Sequence, residues 1–319
     1  MGLLITFAIP YLHNRDYLRQ AVASVVDQTL PDWELIIVDD SSDEPAGRFT
    51  DPRIRVERNS VRLGLAGNWN RCLGFGSAAL VTLLHGDDRL HSAYAERVLA
   101  AAERWPDVVA IGTDVDLIDA NGRPHRDLAD RVKRHAHRPS GDHLISGDAG
   151  LSGLLRNNYL YSPTLCYRRT TIAAAGESPF DPRWAMVPDL DWISRQLLSG
   201  ASIGVVGQPL YQYRRHVNST SNQLTRTTQR FREEIELYQD LALDGAAKGW
   251  QATSRAARQR RMIRAHLGVR CLESLVRADP RAAAATSRLL ISDLVSGRRL
   301  TSGRQTGESV SANTTAPKT

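Results

Sequence analysis

Two acidic clusters, each placed just after a short apolar run, constrain the fold of this chain more than any other feature. Residues 35–38, Leu-Ile-Ile-Val, lead directly into Asp39 and Asp40. Residues 80–84, Leu-Val-Thr-Leu-Leu, are followed two residues later by a second Asp-Asp pair at 87–88. A short apolar run bounded by polar residues is typical of a buried parallel strand, and ligands of open parallel sheets bind beyond the carboxyl ends of the strands. We therefore expect both clusters to face one crevice.

The close spacing of these carboxylates has a chemical consequence, because like charges repel one another and resist burial. A divalent cation, together with hydrogen-bond donors on a ligand, would relieve the repulsion. The two clusters therefore predict a site that uses Mg²⁺ or Mn²⁺ to bind a phosphorylated ligand.

Strand-like and helix-like segments alternate over residues 3–118 and predict an α/β fold. Residues 15–28 carry apolar side chains at helical spacing between two strand-like runs, and such β-α-β units favour a mostly parallel sheet with helices on both faces. The stretch 119–147 is polar and aperiodic, which predicts a long loop. Further strands are predicted at 159–167 and 203–206.

The remainder of the chain predicts a C-terminal helical extension. From about residue 225 to 296 the pattern is helical, and beyond 255 it becomes rich in Arg. This composition fits a helix pair packed on the main domain with a solvated basic face, and it also fits attachment to an anionic lipid surface. Residues 297–319 are small and polar and predict a disordered tail.

Composition and charge narrow the class of protein. The net charge of +6 permits nucleotides, lipid headgroups or nucleic acid as partners. Aromatic residues make up only 6% of the chain and the basic residues cluster late in it, which argues against a nucleic-acid-binding protein. No apolar run approaches the roughly 20 residues that span a bilayer. The three cysteines stand far apart, as expected of reduced thiols. We expect a cytoplasmic protein, either free or peripheral at the inner face of the membrane.

Several short segments occur in an order that is characteristic of one enzyme family. They are Ile9-Pro10-Tyr11, residues 24–29, residues 34–43, Asn68-Trp69-Asn70, Gly86-Asp87-Asp88, residues 188–195 and residues 213–221. Taken together, residues 3–222 resemble the family 2 glycosyltransferases, which are inverting enzymes with the A-type nucleotide-diphospho-sugar transferase fold. Two positions depart from the family pattern, because Leu12-His13 stands where Tyr-Asn is usual and Pro188 stands where Glu is usual.

The resemblance implies a domain plan and a set of ligands. Residues 1–222 would form the catalytic domain, with a nucleotide-sugar-binding half at 1–118 and an acceptor-binding half at 119–222. The helical extension would then occupy residues 223–296. The implied ligands are a divalent cation, a nucleotide-diphosphate sugar as donor, and a saccharide or lipid-linked saccharide as acceptor.

Three carboxylates are the candidates for the metal and for proton transfer. Asp88, with Asp87 beside it, is the predicted metal ligand, since Mg²⁺ and Mn²⁺ prefer hard oxygen donors. The resemblance also allows Asp87 to contact the ribose or the sugar. Asp189, at the start of a helix-like segment, is the candidate general base for the acceptor hydroxyl, and the alternative is a helix N-cap.

The predicted nucleotide pocket lies at the ends of the first two strands. Asp40 is expected to accept a hydrogen bond from the nucleobase, with Asp39 next to it. The alternative for both residues is a turn that they stabilise themselves. Pro10 and Tyr11 are expected to line the same pocket.

Polar residues from two further segments are expected near the nucleotide. Asn68 and Asn70 either position it or cap and pack locally. Arg214 and His216 are expected to bind the diphosphate through charge-assisted hydrogen bonds. His216 has two alternatives, contact with the metal and a purely structural role.

These predictions describe an inverting glycosyltransferase that moves a sugar from a nucleotide-diphosphate donor to an acceptor hydroxyl. The acceptor would be a cell-surface glycan or a lipid-linked saccharide, and the reaction a metal-assisted single displacement. The alternative from another class of enzyme is a nucleotidyltransferase of related α/β architecture. Such enzymes usually carry a glycine-rich basic loop after the first strand, whereas residues 10–14 contain no glycine.

Overall fold

A mixed nine-stranded sheet organises the first part of the chain. The computed structural model describes residues 3–41, 43–125, 139–216, 224–225 and 227–302. The strands within these residues are β1 (Ile5–Tyr11), β2 (Trp33–Asp39), β3 (Ile54–Arg58), β4 (Leu80–Leu83), β5 (Arg89–Leu90), β6 (Ala110–Ile118), β7 (His143–Ser146), β8 (Cys166–Arg168) and β9 (Ser202–Arg214).

Ten α-helices accompany the strands in the described residues. They are α1 (Arg15–Val26), α2 (Gly64–Gly74), α3 (Tyr94–Arg104), α4 (Gly147–Asn157), α5 (Arg169–Ala174), α6 (Pro188–Leu198), α7 (Gln229–Ala247), α8 (Gln251–Gln259), α9 (Arg261–Val276) and α10 (Pro280–Ser302). None of the helices in this described part is both long enough and apolar enough to cross a bilayer.

The predicted α/β class is confirmed, and the sheet combines parallel and antiparallel pairs. Its strand order is β3-β2-β1-β4-β8-β6-β9-β5, with β7 also paired to β9. The parallel pairs are β1 with β2 and β4, β2 with β3, and β6 with β9. Short strands β5, β7 and β8 make the antiparallel pairs. The carboxyl ends of β1, β2 and β4 therefore lie at one edge of the sheet, where both acidic clusters follow.

Helices cover both faces of the sheet, as the sequence predicts. The inward side chains at positions 5, 7, 9 and 11 of β1 pack in one apolar cluster with residues of α1 and α3. Helix α2 contacts β1, β2 and β4 but contributes no residue to that cluster, so it lies on the opposite face. The alternation of side chains along β1 thus supplies two apolar surfaces from one strand.

The predicted loop at 119–147 is partly wrong, because it contains β7 and the first residue of α4. Strand β7 pairs antiparallel with β9, and Ile145 is its one buried residue. A single inward side chain gives too little periodicity to be detected in the sequence. Residues 126–138, with His135 and His137, lie outside the described residues.

Two predicted strands also differ from the structure. The strand predicted at 159–167 is instead a 3₁₀ turn at Ser162–Thr164 followed by β8. Pro163 lies in that turn, where its missing N–H makes it unsuited to a strand interior. The strand predicted at 203–206 continues to Arg214 in spite of Pro209, and the pairing of β6 with β9 shifts register beside that proline.

The predicted helical pattern after residue 225 corresponds to α7–α10, which belong to two compact units. The units are Met1–Arg260 and Arg261–Thr319, so α7 and α8 belong to the first. Asp148 of α4 accepts hydrogen bonds from the amides of Ala252 and Thr253, which fastens α8 to α4. The functional boundary at 222 stays a prediction. Helix α10 extends to Ser302, and residues 303–319 lie outside the described residues.

Candidate functional site

The second acidic cluster forms a group of side chains with the spacing of a metal site. Strand β4 ends at Leu83, and a turn closed by the Asp88 amide and the His85 carbonyl follows it. One ligating atom from each of His85, Asp87 and Asp88 lies within 4.8 Å of the others. An imidazole nitrogen and two carboxylates form a donor set that suits Mn²⁺ and Mg²⁺.

Asp88 is buried and holds strand β9 in place. Tyr211 donates its hydroxyl to Oδ2 at 2.8 Å, and the Arg214 amide donates to Oδ1 at 2.7 Å. Burial, and then the charge of neighbouring Asp87, raises the pKa of the Asp88 carboxyl well above its usual range. Because β5 directly follows Asp88 and pairs antiparallel with β9, these partners reach the turn from more than 100 residues away.

Asp87 is the more accessible carboxylate of the pair. Its side chain is 35% exposed, and its Oδ2 lies 2.9 Å from Nε2 of His216. Burial raises the pKa of Asp87, but the His216 hydrogen bond and the nearby imidazoles outweigh it and leave the pKa below its usual range. Asp87 is thus an ionised carboxylate between His85 and His216.

Arg214 serves mainly to fix the loops around this turn. The guanidinium donates from Nε to the Asp87 carbonyl at 2.6 Å and from a terminal nitrogen to Gln20 Oε1 at 2.8 Å. It also lies 4.4 Å from the ring centre of Tyr17, which is a cation–π contact. The side chain is buried, so the structure gives it protein partners, and the predicted diphosphate contact stays a prediction.

Asp189 approaches the same crevice from α6. It lies in the first turn of that helix, and the Ser162 hydroxyl donates to its Oδ2. Burial lowers the pKa of His85, whereas the charges of Asp87 and Asp189 act in the opposite direction. The charge of Asp189 thus acts on His85, and its role as the base stays a prediction.

Asn68 and Asn70 have protein partners on either side of α2. The Asn68 amide donates to the Val38 carbonyl at 3.2 Å, and its Oδ1 accepts from Asn59 at 3.0 Å. Asn70 exchanges two hydrogen bonds with the backbone of Phe180, at 2.7 and 2.9 Å. These bonds favour the alternative in which both residues pack within the fold, and the nucleotide contact stays a prediction.

The carboxylates of the first acidic cluster bind the chain itself. Asp39 accepts from the amide and hydroxyl of Ser41 at 2.9 and 2.5 Å, and from the amide of Ala46 at 2.9 Å. Asp40 accepts from the amides of Leu63 and Gly64 at 2.8 and 3.0 Å. These two amides stand at the N-terminus of α2, so Asp40 caps that helix from a distant turn.

Asn59 adds a further bond to Asp40, at 2.7 Å, and belongs to the wall of a polar cavity of about 250 Å³. The residues that line it are Asp40, Ser41, Arg58, Asn59, Ser60, Val61 and Arg62. Asp40 is the one residue of the predicted nucleobase pocket that lines this cavity, and the nucleobase contact stays a prediction.

Pro10 and Tyr11 lie beside this turn, in register with Val38 and Asp39. Tyr11 is 1% exposed and packs in the apolar cluster, and burial raises its pKa to about 12. Its hydroxyl has no hydrogen-bond partner among the described residues. Tyr11 thus contributes mainly to the core, and its place in a nucleotide pocket stays a prediction.

Three residues of the site were missed by sequence reasoning. His85 had a signal, since it stands two residues before the acidic pair and carries a ligating nitrogen. Tyr211 and Ser162 had none, because they meet Asp88 and Asp189 only through the folded sheet.

Comparison with known proteins shows which sequences and structures the chain resembles. Residues 6–161 match the family model described as glycosyl transferase family 2. The glucosyltransferase WfgD of Escherichia coli, described as acting on α-D-GlcNAc-diphosphoundecaprenol, is 29% identical over 89 residues, which are 27% of this chain and 35% of WfgD. The putative glycosyltransferase EpsH of Bacillus subtilis is 23% identical over 221 residues, 67% of this chain and 62% of EpsH. The chain thus spans less than two thirds of the length of these relatives.

Among solved structures, S. aureus TarS 1-349 in complex with UDP-GlcNAc matches with a TM-score of 0.56 and 12% identity, over 90% of this chain and 91% of that one. This likeness shows the fold. The matched family model covers residues 6–161, so this part of the chain resembles glycosyl transferase family 2.

Proposed function

We propose that this protein transfers a sugar from a nucleotide-diphosphate donor to an acceptor hydroxyl, with inversion at the anomeric carbon. The observation that carries the proposal is the group formed by His85, Asp87 and Asp88, whose ligating atoms lie within 4.8 Å of one another. A single displacement needs a stabilised leaving diphosphate, a base for the incoming hydroxyl and fixed positions for both substrates. The side chains of this crevice supply groups suited to each task.

His85 and Asp87 are the side chains best placed to hold the divalent cation that the family uses. Both are partly exposed, and their ligating atoms stand within 4.8 Å of each other and of Asp88. Asp88 fits the donor set too, but both of its oxygens already bind β9, so its main role is to fix the turn. A bound Mg²⁺ or Mn²⁺ would supply Lewis-acid stabilisation of the leaving diphosphate.

Asp189 is the base in this proposal. It would accept the proton of the acceptor hydroxyl as that oxygen attacks the sugar. The Ser162 hydroxyl and the Leu190 amide each bind one of its oxygens and hold the carboxylate in place. The positive end of the α6 dipole also favours the ionised form that a base requires.

The donor would place its nucleoside beside the first acidic cluster. The polar cavity next to Asp40 and Asn59 offers carboxylate, amide and backbone groups to a base or a ribose. We propose a UDP-sugar as the first donor to test, because the matched TarS structures contain UDP or UDP-GlcNAc. The acceptor proposed is a lipid-linked saccharide, because WfgD is described as acting on one.

The test is a nucleotide-release assay on the full chain with a panel of UDP-, GDP- and dTDP-sugars and Mn²⁺. We expect one class of donor to be hydrolysed slowly to its nucleoside diphosphate, and transfer to be faster with a polyprenyl-diphosphate-linked saccharide. Asp189→Asn should keep the thermal stabilisation by donor and lose turnover. A chain that instead releases pyrophosphate from a nucleoside triphosphate and a sugar phosphate would be a nucleotidyltransferase, and the proposal would be wrong.

A further inference from the structure

The net charge of the protein is concentrated at its C-terminal end. Residues 261–319 contain 10 of the 41 Lys and Arg residues and 4 of the 35 Asp and Glu residues. This second unit therefore carries the whole net charge of +6, and residues 1–260 are neutral on the same count. Arg261, Arg277, Arg281 and Arg288 are all exposed. Such an asymmetry favours an anionic partner for the second unit.

The described part of the second unit is an antiparallel pair of helices. Arg264 of α9 donates to Asp293 of α10 at 2.7 Å, and Sγ of Cys271 lies 3.0 Å from Oγ of Ser287. As the residue number rises along α9 it falls along α10, so the helices run in opposite directions. These contacts define the seam where the two helices meet.

Seven large aliphatic side chains are exposed among residues 261–295 of this unit. In order around each helix, starting from the seam, they are Leu275, Leu272, Val276 and Val269 on α9, and Leu294, Ile291 and Val295 on α10. At about 100° per residue, the exposed side chains of each helix form an arc that begins at the seam. Viewed along each helix from its own N-terminus, both arcs turn in the same direction. Because the helices are antiparallel, the two arcs open on the same side of the pair. We call these seven side chains the apolar face.

The apolar face exposes large aliphatic side chains, whereas the solvent-facing surface of an ordinary helix carries polar ones. Leu272 and Val276 are 64% and 81% exposed. Exposed apolar patches of this kind mark surfaces that contact a partner or a membrane. Residues 303–319 contain one large aliphatic residue, Val310.

We propose that the apolar face docks on the surface of an anionic lipid bilayer. Aliphatic side chains would enter the boundary between headgroups and acyl chains, while the exposed arginines contact lipid phosphates. A second copy of the chain is the less suitable occupant, because pairing two units that each carry +6 would bring like charges together. This inference concerns docking alone and does not depend on the proposed reaction.

The test is co-sedimentation of the full chain with vesicles of equal parts phosphatidylcholine and phosphatidylglycerol, against vesicles of phosphatidylcholine alone. We expect binding to the anionic vesicles that weakens with salt, and little binding to the neutral ones. The variant Leu272→Gln/Ile291→Gln should lower the partition coefficient roughly tenfold or more, since it removes two inserted side chains. The matched control is Leu243→Gln on α7, a residue 61% exposed in the first unit, which should bind as the wild type does.

Charge is tested separately. Arg281→Glu/Arg288→Glu should weaken binding to anionic vesicles, whereas Arg97→Glu/Arg232→Glu, two exposed arginines of the first unit, should change it much less. Binding that survives in Leu272→Gln/Ile291→Gln would overturn the docking face, as would a failure to bind anionic vesicles. A dimer in sedimentation velocity that Leu272→Gln/Ile291→Gln dissociates, without vesicle binding, would assign the apolar face to a second copy and also overturn the proposal.

Discussion

The two acidic clusters look alike in sequence but are used differently in the fold. Asp39 and Asp40 each accept three hydrogen bonds from nearby groups of the chain, and Asp40 caps α2. At the second cluster, Asp88 binds Tyr211 and Arg214, while Asp87 remains 35% exposed beside two imidazoles. The difference follows from the supply of donors, because two amides at the N-terminus of α2 reach Asp40, whereas the donors that bind Asp88 come from β9.

This comparison indicates how to distinguish a binding carboxylate from a structural one. An Asp after a buried strand is most available to a ligand when the chain has no amides of its own to offer it. By that criterion the site depends first on Asp87, then on Asp189, whereas Asp39 and Asp40 shape the crevice.

Asp87→Asn should have the largest effect on activity. The amide keeps the size of the side chain but removes the negative charge between His85 and His216. We expect kcat/KM for donor turnover to fall by roughly a thousandfold at saturating Mn²⁺, as for the loss of a group that acts on the transition state. A steady-state assay of nucleotide release measures this, and a fall of less than about tenfold would contradict the ranking.

Asp189→Asn should lower kcat by roughly a hundredfold or more, since a general base contributes about that factor. Donor affinity should change little, because the residue acts on the acceptor hydroxyl. The variant Ser162→Ala should have a smaller effect. It removes the hydroxyl that orients Asp189 and should reduce kcat while leaving the base present. Equal kcat values for wild type and Asp189→Asn would remove Asp189 from the mechanism.

Tyr211→Phe should act on stability more than on chemistry. It deletes the hydroxyl that donates to buried Asp88 and leaves that oxygen without this donor. We expect the free energy of unfolding to fall by about 2 kcal/mol, in the range for a buried acceptor that loses its hydrogen-bond donor. Urea unfolding measures it, and Tyr213→Phe, on the neighbouring and less buried ring of β9, is the control.

Asp40→Asn tests whether the first cluster is structural. Asp40 accepts hydrogen bonds from Leu63, Gly64 and Asn59 through two oxygens, and an Asn side chain offers only one oxygen. We therefore expect the free energy of unfolding to fall by about 1 kcal/mol. Affinity for UDP should change by less than about threefold if capping is the main role. A large loss of UDP affinity at unchanged stability would instead support the nucleobase contact predicted from sequence.

The smallest effect is expected at Asp148, far from the crevice. Asp148→Ala removes the carboxylate that accepts from the first-turn amides of α8 and should cost about 1 kcal/mol. Activity per folded molecule should be unchanged, because α4 and α8 lie outside the candidate site. Thermal unfolding together with the nucleotide-release assay separates the two effects.

The sequence was most informative where the relevant contacts are local. The runs ending at Val38 and Leu84 predict strands because their apolar residues are consecutive, and the Asp-Asp pairs predict the edge where ligands bind. Ile145 in β7 and Tyr211 in β9 could not be recognised, since their roles come from pairing with strands distant in sequence. The division of roles between Asp87 and Asp88 was likewise hidden, because it depends on which of them β9 reaches.

The most direct test of the account is calorimetric titration of UDP, with and without Mn²⁺, into the wild type, Asp87→Asn and Asp40→Asn. The account predicts that Mn²⁺ tightens UDP binding by roughly tenfold or more in the wild type and in Asp40→Asn, and that Asp87→Asn abolishes this gain. A gain from Mn²⁺ that persists in Asp87→Asn, or one that disappears in Asp40→Asn, would contradict it.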